Sequence, residues 1–354
     1  MLTKKQVKEI KEYLEKAQNP IFYYDNDADG LCSFLLLRRY LKRGRGIVVK
    51  SYPDLDATYA HKANEMKADC VFILDKPLVS EKFLEAIDSL NIPVVWIDHH
   101  KTEERKKEFK NLHIYNPTKN KGENKSSEPV TFLIYQVTKR KEDLWLAVIG
   151  CIADHYLPEF SKDFAEQYPE LWGDVKEPFD AYYKTDIGKI AQAFSFGLKN
   201  SASNVISLQN VLINCNAPEE VFAELESNKD FRDHIREMRK KYEALIEKAR
   251  ENINNKLIFF EYGGDLSISA ELANELSYYY PKKYIAIAYS KNTIINISLR
   301  GKNVRKILEK IINELENASG GGHKNAVGAR IKAQDIERFK QKLAESISNG
   351  KPRN

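Results

Sequence analysis

The 354-residue sequence has no apolar run long enough to cross a membrane. Its strongest apolar runs, such as Val71 to Leu74 and Val94 to Ile97, fall far short of the roughly 20 residues that a spanning helix needs. The N-terminus also lacks the apolar core of a signal peptide and begins directly with an amphipathic helical pattern. We therefore expect a cytoplasmic protein that does not interact with membranes.

Cysteine and unbalanced charge are also scarce. The four cysteines, at positions 32, 70, 151 and 215, form no Cys-x-x-Cys pair and show no metal-finger spacing, so they indicate reduced thiols in the core. The 56 basic and 51 acidic residues give a net charge of +5. This small excess permits a polyanionic partner without requiring one.

Short apolar runs alternate with helix-length segments over residues 1 to 100. Runs that are apolar on both faces predict a parallel sheet covered by helices on both sides, which is an α/β domain. Two further helices are predicted near Ser127 to Val137 and Asp143 to Ala153. The predicted strands are Ile21 to Tyr24, Ile47 to Val49, Val71 to Leu74 and Val94 to Ile97.

The rest of the chain predicts a helical connector and a second, smaller α/β domain. The connector contains no convincing strand and includes a long charged stretch with helical spacing. The predicted domains are therefore 1–160, a connector at 161–254, and 255–350. The predicted strands of the second domain are Leu257 to Phe260, Tyr284 to Ala288, Ile294 to Leu299 and Ala326 to Ile331.

Acidic residues follow three of the strands predicted for the first domain. In an open parallel sheet, functional groups gather at the carboxyl ends of the strands. Carboxylates placed together there would repel each other and raise one another's pKa unless cations neutralised them. The sequence therefore predicts a metal site, and the residues at the strand ends are Asp25, Asp27, Asp29, Asp75, Asp98, His99 and His100.

Helix capping is the alternative for any single aspartate that follows a strand, Asp29 in particular. Capping explains one strand end well but three strand ends poorly. The segment Asp98-His99-His100 closes an apolar strand, which indicates an imidazole ligand oriented by a neighbouring carboxylate.

Five segments follow one another in an order that is specific although each segment is weak evidence alone. They are Asp27-Ala28-Asp29-Gly30, Asp75, Asp98-His99-His100, Gly150-Cys151-Ile152-Ala153-Asp154, and Gly320-Gly321-Gly322-His323 with Ala326-Val327-Gly328-Ala329. In this order they resemble the motifs of a known family, the DHH phosphoesterases with a DHH-associated C-terminal domain. Within that superfamily the chain most resembles archaeal-style RecJ-like single-strand exonucleases, a likeness to which Asn116-Pro117 and Ser126-Ser127 contribute.

The resemblance implies two Mn²⁺ or Mg²⁺ ions. Asp98 would contact a metal ligand without binding an ion itself, and His100 would contact the scissile phosphate. Independently of the resemblance, oxygen ligands with one imidazole suit Mn²⁺ or Mg²⁺, and two such ions about 3.5–4 Å apart favour in-line displacement at phosphorus. Carried over by position, the ligands would be Asp75 between the ions, Asp29, His99 and Asp154 on one ion, and Asp27 on the other.

The sequence departs from the family just upstream of the first motif. Many members carry a histidine ligand there, whereas Tyr23-Tyr24-Asp25-Asn26 occupies this stretch and no histidine precedes His61. Asp25 is a candidate replacement, because residues 25 and 27 face the same side if the extended backbone continues. The alternative is that Asp25 only ends the strand.

The glycine motif of the second domain is a candidate phosphate-binding segment. The backbone N–H groups of Gly320, Gly321 and Gly322 are not crowded by side chains, so a phosphate can approach them closely. His323 and Arg300 would add positive charge. The alternatives are a flexible glycine loop and a solvated arginine. We expect the active site in the cleft between the domains, with the second domain binding the substrate.

The predicted function is metal-dependent hydrolysis of phosphodiester bonds, as in a RecJ-like exonuclease acting on single-stranded DNA or RNA. The enzymatic alternatives are nanoRNase-like hydrolysis of short oligonucleotides and hydrolysis of a small phosphate compound such as pyrophosphate or a nucleotide. A non-catalytic, RecJ-related replication scaffold is the alternative from another class, and the retained metal ligands argue against it. The expected partners are single-stranded nucleic acid or short oligonucleotides, together with a replication or repair protein.

Overall fold

The structure, a computed structural model, describes residues 1–51, 54–101, 107–199, 201–224, 226–253 and 256–349. The chain divides into two compact units, Met1–Ile235 and Arg236–Asn354. The domain boundaries predicted from the sequence stay predictions, and residues 254, 255 and 350 lie outside the described ranges. Among the described residues, no helix is long and apolar enough to span a membrane.

The first unit is built on a five-stranded parallel sheet, with a separate two-stranded parallel pair beside it in the chain. The strands of this unit are β1 (Pro20–Asp25), β2 (Arg45–Val49), β3 (Asp54–Leu55), β4 (Cys70–Leu74), β5 (Leu78–Val79), β6 (Val94–Ile97) and β7 (Leu112–Tyr115). The order of strands in the sheet is β2-β1-β4-β6-β7, and β3 pairs with β5.

The central strands are buried along their whole length, as in β4 and β6. Helices cover a parallel sheet on both faces, so its central strands are apolar at every position. The prediction of a parallel α/β sheet is confirmed. Strand β7 was not predicted, because Leu112–Tyr115 is a partly exposed edge strand that includes a histidine.

Helix α2 (Ala28–Leu41) follows β1 and packs against α5 (Val130–Thr138) and α6 (Leu144–Ala153). The helix predicted to open at Ser127 is α5, which begins at Val130, after Pro129. Helix α12 (Lys229–Glu251) contains the division between the two units. The helices are α1 (Lys4–Lys16), α2 (Ala28–Leu41), α3 (Ala60–Glu65), α4 (Glu81–Ser89), α5 (Val130–Thr138), α6 (Leu144–Ala153), α7 (Ser161–Gln167), α8 (Pro169–Trp172), α9 (Pro178–Lys184), α10 (Asp186–Leu198), α11 (Ala202–Asn214) and α12 (Lys229–Glu251).

The second unit has its own five-stranded mixed sheet. The elements of this unit are β8 (Leu257–Gly263), α13 (Ser269–Tyr279), β9 (Tyr284–Lys291), β10 (Ile294–Arg300), α14 (Val304–Ile312), β11 (Ser319–His323), β12 (Ala326–Lys332) and α15 (Ile336–Asn349). The order of strands is β11-β12-β10-β9-β8, in which β8 and β9 are parallel and the other neighbours are antiparallel. The glycine motif, for which a loop was the alternative, forms the edge strand β11.

Candidate metal centre

The carboxyl ends of β1, β4 and β6 bring the candidate ligands of the first unit to one edge of the sheet. The chain passes from β1 to β2 on one side and later crosses to β4 on the other, so a crevice opens outside the ends of β1 and β4. Asp25 ends β1, Asp75 follows β4, and Asp98 follows β6. The order of the strands therefore places these carboxyl groups around one crevice.

Asp27 caps the helix that follows the first strand. Its Oδ1 accepts a hydrogen bond from the Gly30 backbone N–H at 2.8 Å, which satisfies one of the free donors at the start of α2. A Cβ on residue 30 would lie 2.6 Å from the Asp25 carbonyl oxygen, so only glycine allows this tight turn. The turn holds Asp27 at the mouth of the crevice.

Asp29 caps a different helix from the one that contains it. Its two carboxylate oxygens accept hydrogen bonds from the backbone N–H groups of Val130 at 2.8 Å and Thr131 at 2.7 Å, at the start of α5. The Thr131 hydroxyl donates to the Asp29 carbonyl oxygen at 2.9 Å. Capping and metal binding are compatible here, because each carboxylate oxygen has a second lone pair.

Asp75 is buried and lies in the left-handed region of backbone conformation, with a φ of 59°. Backbone outliers of this kind, in residues other than glycine, are uncommon and cluster at functional sites. Among the described residues, its buried Oδ1 atom has no hydrogen-bond partner. Burial, followed by the charges of Asp29 and Asp27, raises the pKa of Asp75 well above its ordinary value. A cation at this position would give the Oδ1 atom a partner and would offset the repulsion between the buried carboxylates.

His99 is oriented with one ring nitrogen towards the carboxylates. Its Nδ1 lies 3.2 Å from the Ser127 carbonyl oxygen, to which it can only donate. The Nε2 atom lies 3.4 Å from Asp75 Oδ1 and 3.8 Å from Oδ2 of Asp154, the residue that ends α6. A backbone carbonyl at Nδ1 is the arrangement that presents a neutral Nε2 to a metal ion.

His100 belongs to a separate hydrogen-bond network. Its Nδ1 lies 2.8 Å from Asp98 Oδ1, and the buried Asn116 amide donates to Asp98 Oδ2 at 3.0 Å and to the His100 carbonyl at 2.9 Å. Burial opposes the charged imidazole, but the hydrogen bond to Asp98 and nearby carboxylates outweigh it, so the pKa of His100 is raised. Sequence reasoning noted Asn116 only as part of a resemblance and missed its role in fixing Asp98.

Two further carboxylates of the crevice hold protons more readily than ordinary aspartates. Desolvation, followed by the charges of Asp25 and Asp29, raises the pKa of Asp27 to about 7. Desolvation and the charge of Asp29 raise the pKa of Asp154 to about 6. Both side chains have exposed surface, yet protein atoms surround them closely enough for desolvation to remain the largest cause. Neighbouring negative charge adds to the shift in both cases.

The donor set fits a hard divalent ion. Asp29, His99 and Asp154 each offer a ligand atom within 4.8 Å of the others, beside the unpartnered Asp75 oxygen. Asp75, His99 and His100 also lie within this distance, but the His100 Nδ1 is engaged by Asp98. Carboxylate oxygens with one imidazole suit Mn²⁺ or Mg²⁺.

Asp25 faces a lysine that sequence reasoning did not single out. Lys76, directly after Asp75, is buried and donates from Nζ to Asp25 Oδ1 at 2.8 Å. The only sequence signal for Lys76 is its position between Asp75, which follows a strand, and Pro77.

Tyr23 lies in the stretch where many family members carry a histidine ligand. It packs in the core, and its hydroxyl donates to the Tyr59 carbonyl oxygen at 2.9 Å.

The second unit gathers its candidate phosphate ligands at one end of its sheet. Ala326 of β12 pairs with Arg300 on one side and with His323 on the other. His323 is exposed, whereas Arg300 is half-buried and its Nε donates to Asn274 Oδ1 at 2.6 Å. Gly321 is exposed on the edge strand, and none of the described atoms lies within 4 Å of the place where its Cβ would stand. The outer side of an edge strand presents backbone N–H groups that are not paired within the sheet, and an anion can approach these groups.

Two protein-family domains match the chain, one within each of the two units. The N-terminal domain of the DHH family matches residues 21–157, and the DHHA1 domain matches residues 253–349. No curated protein sequence matches the chain. The chain belongs to the DHH family and carries a C-terminal DHHA1 domain.

Solved structures show the same fold at low sequence identity. RecJ from Thermus thermophilus in complex with Mn²⁺ aligns with a TM-score of 0.68 and 14% identity, over 98% of this chain but only 54% of that RecJ. An exonuclease RecJ bound to manganese aligns with a TM-score of 0.65 and 15% identity, over 99% and 96% of the two chains. A pGpG-specific phosphodiesterase, PggH from Vibrio cholerae, gives 0.52 and 14%, over 94% and 99%. The chain therefore has the fold of DHH-family phosphoesterases and spans about half the length of the Thermus RecJ.

Proposed function

We propose that this chain hydrolyses phosphodiester bonds in single-stranded nucleic acid or short oligonucleotides with the help of a divalent metal ion. The observation that carries the proposal is the buried Oδ1 of Asp75, which has no hydrogen-bond partner in the described part of the chain and faces His99 Nε2 at 3.4 Å. Asp29 and Asp154 complete the group of donors around this position. Buried polar atoms almost always have partners, so an unpartnered carboxylate oxygen among ligand-type atoms indicates a cation.

The chain's own residues divide the work of hydrolysis. Asp29 is held by two backbone N–H groups and His99 by a backbone carbonyl, so both ligands are fixed before an ion arrives. A bound ion would supply positive charge to the phosphoryl oxygens and make a water molecule more acidic. His100, with its pKa raised beside Asp98, would donate a hydrogen bond to the scissile phosphate from Nε2.

The two-ion arrangement implied by the family resemblance would add Asp27 to the ligands. Its carboxylate lies near Asp25 and Asp29, whose charges help to raise its pKa. Within the proposed function, Asp27 and Asp75 are therefore the protein ligands available to a second ion.

The nucleic-acid part of the proposal is supported by the second unit. Arg300, His323 and the exposed glycine strand lie at one end of its sheet, where they can bind phosphate groups of a strand. The net charge of +5 is compatible with a polyanionic substrate. The similarity to RecJ and to a pGpG phosphodiesterase supports nucleotide chains as the substrate class. A replication or repair protein remains a proposed partner.

The test is a digestion assay with labelled single-stranded DNA, single-stranded RNA, a dinucleotide and pyrophosphate, in Mn²⁺ or in EDTA. We expect cleavage of the nucleotide chains with Mn²⁺ and none with EDTA. Asp75→Asn should be inactive, and Asp163→Asn, which changes an exposed carboxylate on α7, is the matched control. Cleavage of pyrophosphate alone would overturn the substrate class. A protein that binds Mn²⁺ but cleaves none of these compounds would instead support a non-catalytic scaffold.

A further inference from the structure

The Asp25 carboxylate is already paired with a cation that belongs to the protein. Lys76 Nζ donates to Asp25 Oδ1 at 2.8 Å and to the Ser51 carbonyl oxygen at 2.9 Å. The Lys76 side chain is 1% exposed and that of Asp25 is 27% exposed. The ammonium group is therefore shielded from water, and protein oxygens replace its hydration.

The backbone around Lys76 is held in place. Lys76 lies between Asp75, with its φ of 59°, and Pro77, whose ring restricts the chain. The Trp96 indole N–H donates to the Lys76 carbonyl oxygen at 2.8 Å, and Trp96 belongs to β6. The position of the lysine is thus tied to the central sheet.

The two sides of the metal centre have unequal sets of donors. On the side of β6 and α6, three ligand atoms lie within 4.8 Å of one another; they come from Asp29, His99 and Asp154. Beside them is the Asp75 oxygen that has no hydrogen-bond partner among the residues the structure describes. On the side of β1, Asp27 Oδ1 accepts from the Gly30 N–H and Asp25 Oδ1 accepts from Lys76. A second ion on the β1 side would have to share Asp25 with the lysine, whose charge already neutralises this carboxylate.

We propose that the ion pair between Lys76 and Asp25 limits this centre to one tightly bound divalent ion, where the family resemblance implies two. The pair acts twice in the same direction, because the ammonium group neutralises the negative charge of Asp25 and also repels a divalent cation beside it. The proposal rests on the metal-dependent function proposed above, since it concerns the same ligands. It assigns Lys76 the role of a positioning residue that sets the number of ions.

The experiment counts ions directly. The full chain is stripped of metal and titrated with Mn²⁺, and bound ions are measured by equilibrium dialysis with elemental analysis. Low-temperature electron paramagnetic resonance then distinguishes an isolated Mn²⁺ ion from two exchange-coupled ions. We expect one ion per chain with the spectrum of an isolated ion, and a second ion that binds at least about tenfold more weakly.

Three variants separate the effect of the Lys76 charge from the effect of Asp25 as a metal ligand. Lys76→Met keeps most of the side-chain length but releases Asp25, so two ions with a coupled spectrum are expected. The double variant Asp25→Asn/Lys76→Met also lacks the released donor and should return to one ion. Lys76→Arg keeps the positive charge and should also hold one ion.

Two results would overturn the proposal: a wild-type chain with two tight, coupled ions, or a Lys76→Met variant that is folded by circular dichroism yet binds only one. If Lys76→Met does not fold, Asp25→Asn decides the matter. It should keep one ion with unchanged affinity, and loss or tenfold weakening of that ion would show that Asp25 is a ligand. Absence of hydrolysis by a protein that holds one ion would contradict the proposed function, but not the ion count.

Discussion

The Nε2 atom of His99 lies 3.4 Å from Oδ1 of Asp75, although the two residues follow different strands. The His99 Nδ1 donates to the Ser127 carbonyl, so in the neutral ring Nε2 carries a lone pair rather than a proton. Two acceptor atoms thus face each other in a buried place. Such an arrangement is favourable only when a cation or a proton lies between them, which is why this pair supports the assignment of the metal centre.

The first prediction tests Asp75 as the central ligand. Asp75→Asn removes a charged oxygen donor but keeps the shape of the side chain. We expect the hydrolysis rate to fall below about a tenth of the wild-type rate, because the charge that neutralises the ion is lost. Bound Mn²⁺, measured by elemental analysis, should fall as well. Activity above that level in a folded variant would refute a central role for Asp75.

The second prediction concerns the stability of the metal-free protein as a function of pH. The folded-state pKa values of Asp27, about 7, and Asp154, about 6, lie above the ordinary value of 3.8. Between the ordinary value of 3.8 and these raised values, the folded state binds more protons than the unfolded state, so stability falls as pH rises. The raised pKa of His100 acts in the same direction. The metal-free protein should therefore have a lower Tm at pH 7.5 than at pH 5.5.

Manganese should reverse this dependence, because ligands must lose their protons before they bind an ion. The increase in Tm on adding Mn²⁺ is expected to be larger at pH 7.5 than at pH 5.5. Asp27→Asn should flatten the pH dependence of the metal-free protein. Differential scanning calorimetry at both pH values provides the measurement, and a Tm that rises with pH without metal would contradict the assigned shifts.

Local patterns were enough to predict the first sheet and the position of its acidic residues. Strands such as β4 and β6 are apolar at every position, and the carboxyl ends of parallel strands share one edge of a sheet. The sequence could not show that β7 adds a fifth strand, because a short edge strand with exposed positions lacks this signal. The glycine strand β11 was also missed, since glycine has low strand propensity.

The pairings between distant residues were beyond sequence reasoning. Asp25 and Lys76 are 51 positions apart, and Asn116 reaches Asp98 from 18 positions away. A lysine after a strand is usually solvated, and only the tertiary structure shows that this one is buried. The sequence allowed either capping or metal binding at Asp29, but it could not show that this residue caps α5 rather than its own helix.

The third prediction concerns a buried arginine far from the metal centre. Arg39 Nε donates to Asp143 Oδ1 at 2.6 Å, and its Nη1 donates to three backbone carbonyl oxygens at the end of α11. Arg39→Met would leave several carbonyls without these donors, and Arg140, whose Nε lies 3.0 Å from Asp143 Oδ2, would be the cation that stays beside the buried carboxylate. Removing one partner of an isolated buried pair costs about 3–5 kcal/mol, so urea unfolding should show a loss of stability up to that size. Lys5→Ala, which breaks an exposed pair with Glu9, should leave the unfolding midpoint unchanged.

The fourth prediction separates substrate binding from metal binding in the second unit. His323 is exposed at the end of β11, so His323→Ala should leave the fold and the bound metal intact. If its imidazole contacts a substrate phosphate equally in ground and transition states, KM rises while kcat changes little. Arg300→Ala should raise KM and also lower Tm, because the guanidinium bonds to Asn274 and to the Val327 carbonyl oxygen.

Direct binding provides the control for this fourth prediction. In an Asp75→Asn background, which prevents turnover, the affinity for a labelled single-stranded oligonucleotide can be measured by fluorescence anisotropy. Lys291→Ala is the matched charge change, because Lys291 ends β9 at the opposite end of the sheet from Arg300. We expect weaker binding with Arg300→Ala and with His323→Ala, and unchanged binding with Lys291→Ala. Equal losses would mean that the second unit attracts the strand through its overall charge, and that the glycine strand and His323 form no defined phosphate site.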